Sequence, residues 1–145
     1  MTRKPRIGSI ISGTLRPEDL ATAFADELES LDVSGRYRAL VGESRTLDAD
    51  SDEGAEVLGD LEQGLNDLAP PYCYFGAHPG DGADFGYWVD LDAIERDRRE
   101  GSLPSGDSLP ADGSSIGHYL HVSDHGNLEY YIWDGRGWRS EWGVV

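Results

Sequence analysis

Cysteine, lysine and long apolar runs are what this chain has least of, and each shortage excludes something. Cys73 is the single cysteine in 145 residues, so no internal disulfide can form and a reducing compartment fits. No apolar run is longer than a few residues, so no membrane span is expected. The basic start Met1-Thr2-Arg3-Lys4-Pro5-Arg6 leads into Ile7-Gly8-Ser9-Ile10-Ile11-Ser12-Gly13, which is too short and too polar for a signal-peptide core. These absences predict a cytoplasmic protein.

Several reaction classes are missing as well. There is no Gly-x-Ser-x-Gly elbow, no Cys-x-x-Cys pair, no Gly-Lys-Ser/Thr phosphate loop and no twelve-residue calcium loop closed by glutamate. Nothing specifies an enzyme, and the reading leans away from one.

What is abundant is negative charge. The formal net charge is −16, and it is unevenly spread. Residues 1–16 carry +4; residues 17–67 carry fifteen acids against Arg36, Arg38 and Arg45, a net −12; residues 68–145 carry −8. Such a surface repels nucleic acid and membranes and attracts basic partners from a distance. A plainer reading competes with this one. Arginine outnumbers lysine eleven to one and aspartate outnumbers glutamate seventeen to eleven, biases that suit GC-rich coding and general solubility.

With 38% hydrophobic and 10% aromatic residues, the chain should fold as a single α+β domain over 1–145, with flexible loops near 42–54 and 101–115. A strand is expected at 6–12. Pro17, Glu18 and Asp19 open a helix whose stripe is Leu20, Phe24, Leu28 and Leu31. Ala39-Leu40-Val41 reads as a short strand. A second helix carries Val57, Leu58, Leu61, Leu65 and Leu68 and stops at Pro70-Pro71. Strands follow at 72–76 and 85–89, joined by a glycine-rich connection, then a short helix capped by Asp92. The C-terminal third reads as a meander of 119–122, 128–133 and 138–145. The architecture predicted is a mostly antiparallel sheet of about five or six strands with two amphipathic helices packed on one face.

Three places could carry function. If Val122 opposes Leu128, one sheet face holds Leu120, Val122, Leu128, Tyr130 and Ile132, and the other holds Tyr119, His121, Glu129, Tyr131 and Trp133. Setting Trp133 opposite Trp138 adds Trp138 and Trp142 to that second, aromatic face, which suits a partner or self-association into a homo-oligomer. The 101–115 loop could equally cover it. The segment 76–86 offers His78, Asp81 and Asp84, with His118, His121 or His125 as further ligands for a divalent metal; turn chemistry explains the same residues without any cofactor. The helices carry Asp19, Asp26, Glu29, Asp60, Glu62 and Asp67, which in a contiguous row could imitate the phosphate line of a duplex.

The phrases Gly13-Thr14-Leu15-Arg16-Pro17-Glu18-Asp19-Leu20, Tyr74-Phe75-Gly76-Ala77-His78-Pro79-Gly80-Asp81-Gly82-Ala83-Asp84-Phe85-Gly86 and Asp124-His125-Gly126-Asn127 resemble small uncharacterised proteins of phages and plasmids from GC-rich bacteria. The resemblance brings no activity and no catalytic residues. It implies an accessory role, such as interference with a host system. The expectation is therefore a non-enzymatic acidic interaction protein, an inhibitor that sequesters a basic or nucleic-acid-binding host partner and makes no direct contact with nucleic acid or membrane. The alternative is a small metal- or ligand-binding domain, or a hydrolase, built on His78, Asp81 and Asp84.

Overall fold

The computed structural model describes residues 3–32 and 34–144; Val145, assigned to the last strand from sequence, lies outside them. The chain, read as one domain from its length, forms two compact units, Met1–Ala69 with Cys73–Trp88 and Pro70–Tyr72 with Val89–Val145. Among the described residues it is α+β, with four helices and two mostly antiparallel sheets of three and four strands. The expectation of two helices over one sheet of five or six strands is corrected accordingly. No helix among the described residues is long and apolar enough to cross a membrane.

In the first unit β1 (Gly8–Ser12) leads to α1 (Pro17–Leu31). Proline at the first helical position and Glu18 and Asp19 in the first turn start α1 as their chemistry dictates. Its apolar stripe Leu20, Phe24, Leu28 and Leu31 is fully buried. The Asp32 carboxylate accepts from the backbone N–H groups of Arg36 (3.0 Å) and Tyr37 (2.8 Å) and turns the chain into α2 (Arg38–Ser44). The strand expected at 39–41 is thus helix. Three residues of β-compatible sequence do not outweigh packing of the buried Val41 in a core shared with α1 and α3.

Helix α3 (Asp52–Asp67) is capped by Ser51, whose hydroxyl accepts from the Gly54 N–H at 3.0 Å. Beyond it β2 (Cys73–His78) and β3 (Asp81–Val89) form a hairpin with only Pro79-Gly80 between them, and the sheet order is β1-β3-β2. The segment expected as a glycine-rich connection is therefore largely strand. One of its glycines serves close approach: a Cβ on Gly86 would overlap the backbone carbonyl of Gly8 on the paired strand.

Phe24, Phe75, Phe85 and Tyr87 meet edge to face at 5.1–5.4 Å in this core. Among the described residues one charged side chain lies inside it, Glu27, 7% exposed. Tyr87, fully buried, donates its hydroxyl to Glu27 Oε2 at 2.8 Å, and the Arg3 guanidinium pairs with Oε1. Burial first, and the Glu27 bond second, push the Tyr87 hydroxyl far up in pKa. Tyr87→Phe strips the buried carboxylate of a donor, with an expected loss of about 1–3 kcal/mol, measured by denaturant unfolding.

The second unit holds α4 (Leu91–Glu100), β4 (Ser105–Gly106), β5 (His118–Val122), β6 (Leu128–Trp133) and β7 (Trp138–Val144), in sheet order β4-β5-β6-β7. Its helix is capped by Asp90, accepting from the Ala93 N–H at 3.0 Å, and not by Asp92, which sits in the first turn. The pairings Val122 with Leu128 and Trp133 with Trp138 are present as expected.

Candidate interaction surfaces

The aromatic face of the second sheet is only partly available. Tyr119, His121, Glu129, Tyr131, Trp133 and Trp138 share it, but Trp142 does not. A bulge at the Tyr130–Tyr131 step sets Trp142 opposite Tyr130 while Ser140 opposes Tyr131. That extra residue turns Trp142 to the other face, where it is 6% exposed, stacks on Tyr130 at 5.8 Å and donates its indole N–H to the Pro71 carbonyl at 2.7 Å.

Around this buried face a polar network is satisfied internally. Tyr72, the one described non-glycine residue with positive φ (60°), donates its hydroxyl to Asp97 at 2.7 Å and meets Tyr130 edge on. Its bond is the first cause that holds the Asp97 carboxyl below its usual range. The His118 Nε2–H donates to the Ser102 carbonyl at 2.8 Å, which leaves Nδ1 to accept from the Tyr130 hydroxyl, also at 2.8 Å. Burial, with a smaller push from Glu141, raises that hydroxyl to about 12.

On the aromatic face the 101–115 segment acts as a strap. Trp138 donates to the Pro110 carbonyl at 2.7 Å, and His121 Nε2 donates to the Asp107 carbonyl at 2.9 Å. Gly113 lies so close to Trp138 that a Cβ there would overlap the indole ring. Tyr119 is buried. Tyr131 and Trp133 remain half-buried, with Trp133 edge on to Trp138 at 5.3 Å.

The residues weighed as metal ligands lie along the β2–β3 hairpin in turn roles. His78 Nδ1 accepts from the Gly80 N–H at 2.9 Å, and its ring stands against Trp88. Asp81 accepts from the Ala83 N–H at 3.0 Å. One oxygen of Asp84 is buried without a hydrogen bond. Among the described residues, no three His, Cys, Asp or Glu side chains gather as metal ligands.

Most acids of α3, in contrast, are exposed and have no basic residue near them in sequence. Residues 46–95 contain no lysine or arginine at all, a feature of spacing that net charge by block conceals. Along α3 the inner face is Val57, Leu61 and Leu65, and the exposed stripe is Glu53, Glu56, Asp60 and Asp67. Asp26 and Glu29 on α1 are exposed too, but both face Arg45 of the segment after α2, at 3.0 and 3.6 Å.

Glu62 departs from this stripe. It is half-buried beside Tyr74 and Phe75, and desolvation pushes its pKa up. A carboxyl with a raised folded pKa favours the native state while protonated and loses that contribution as pH rises through the folded value. Glu62→Gln should therefore raise the melting temperature at neutral pH, and the gap to the native chain should close as pH falls into the carboxylate range.

A groove of about 540 Å³ opens between α1 and the segment 44–50. Its floor is Ala21, Ala25 and Leu47; its rim carries Glu18, Asp48 and Asp50, with Arg45 as the cation. The Asp48 carboxylate is oriented by the Asp50 N–H at 3.0 Å, and Glu18 pairs with the exposed Arg16 at 3.4 Å. Sequence reasoning found the helix acids but missed Asp48 and Asp50, because an acidic stretch of low hydrophobicity reads as a loop. No protein-family model, curated protein or solved structure matches this chain.

Proposed function

We propose that this chain is a non-enzymatic acidic interaction protein, a mobile-element inhibitor that occupies the basic surface of a nucleic-acid-binding partner. The observation that carries the reading is the groove rimmed by Glu18, Asp48 and Asp50, continuous in sequence with an α3 that bears six acids and no base. Exposed carboxylates of this kind attract a guanidinium. Arg45, held by Asp26 and Glu29 of this chain, displays the pairing that a partner arginine would repeat. The aromatic face competes less well for this role, because the strap covers Trp138 and the bulge removes Trp142.

Calorimetric titration with an arginine-rich peptide tests the reading. Binding should be saturable and should weaken at least about tenfold between roughly 50 and 300 mM salt, as screening shortens the reach of exposed charges. An affinity indifferent to salt, or none, would remove the acidic surface from the account.

A second reading, a divalent-metal or ligand site on His78, Asp81 and Asp84, has the unpaired buried oxygen of Asp84 in its favour. On that reading calcium, magnesium, manganese or zinc raises the melting temperature of chelator-treated protein. On the first reading none of them moves it.

A further inference from the structure

The tryptophans point to a second binding surface, of different chemistry from the acidic groove. Trp88 donates its indole N–H to the Gly76 carbonyl at 2.9 Å, Trp138 to that of Pro110 at 2.7 Å and Trp142 to that of Pro71 at 2.7 Å. Trp133 alone donates to nothing among the described residues, and its N–H is not a buried one. Two of the three satisfied indoles thus hold the carbonyl of a proline. At Trp138 the arrangement is complete: carbonyl on the N–H, and the backbone of Gly113 against the ring. Aromatic surfaces that take proline-containing extended chains work in this way, because the chain is already ordered and its carbonyls point outward.

On this face the strap shows one such contact, the Pro110 carbonyl and the Gly113 backbone on Trp138; the Trp142–Pro71 bond is its counterpart on the opposite face. The strap's contact on Trp138 continues directly to Trp133, 5.3 Å away edge on, and along β6 to Tyr131, two residues before it. We propose that Trp133 and Tyr131 form the open half of an aromatic strip that binds an extended, proline-containing peptide of a partner protein. The Trp133 N–H donates to a peptide carbonyl as Trp138 donates to Pro110, and the peptide runs on from the end of the strip that the strap already fills. The proposal is independent of the acidic groove, and an uncharged probe lets the two fail separately.

The test is a titration of the full-length ¹⁵N-labelled chain with end-capped decaproline, reading the four tryptophan indole N–H signals. The expected result is a saturable shift of the Trp133 signal with a midpoint below about 1 mM, while Trp88 and Trp142 stay in place. Trp133→Phe keeps an aromatic ring but loses the donor and some contact area, so the residual shifts at Trp138 should need at least about 2- to 10-fold more peptide, the range of one neutral hydrogen bond. No Trp133 shift, an equal shift with a glycine-serine peptide, or a shift driven by protein concentration alone would each overturn the proposal. The last of these would assign the strip to a second copy of this chain. Movement of Trp138 ahead of Trp133 would also overturn it, as displacement of the strap.

Discussion

Trp142→Ala should cost about 3–5 kcal/mol, a large share of the stability of a domain of this size. The side chain is 6% exposed, its ring stacks on Tyr130, and its N–H satisfies the Pro71 carbonyl. Trp133→Ala, on the neighbouring strand and the opposite face, should cost only about 1–2 kcal/mol, because a half-buried ring gives up one edge-to-face partner and part of its burial. Denaturant midpoints of the two variants measure the difference. Equal losses would mean that β7 pairs without its bulge and that Trp142 shares the face of Trp138.

Charge reversal on the groove rim should have the largest effect on binding. Glu18→Lys, Asp48→Lys and Asp50→Lys together replace three attractions for a cationic partner by three repulsions. Exposed pairs contribute roughly 0.2–1 kcal/mol each, so affinity for an arginine-rich peptide should fall about 10- to 100-fold. The control carries the same change in net charge on α4, where Asp92, Glu95 and Glu100 are exposed. Asp92→Lys, Glu95→Lys and Glu100→Lys together should weaken binding far less. Similar losses in the two variants would mean that acidity acts through the molecule's total charge, as the solubility reading holds.

The parts of the fold that the sequence made legible are those set by local chemistry and period. Helix α1 follows from Pro17, two acids and a regular apolar stripe, and the β5–β6 register follows from strict alternation across a short turn. The parts it concealed depend on contacts distant in sequence. Trp142 obeys alternation until one inserted residue reverses it. The glycines of 76–86 suggest a loop, yet Gly86 is needed because β1 passes too close for a side chain. The strap is rich in Pro, Gly, Ser and Asp, and tertiary bonds, those of Trp138, His121 and His118 among them, fix it in place. The same limit applied to the candidate site. Individual acids were visible, but the groove depends on how segment 44–50 meets α1.

On the proposed function the acidic groove displaces nucleic acid from a basic partner. The most direct measurement is fluorescence anisotropy of a short labelled duplex bound to an arginine-rich peptide, with the native chain added at near-physiological salt. Stepwise release of the duplex by the native chain and by the α4 variant, with little release by the groove variant, is the predicted result. A duplex that stays bound at excess protein, or equal release by all three chains, would contradict it.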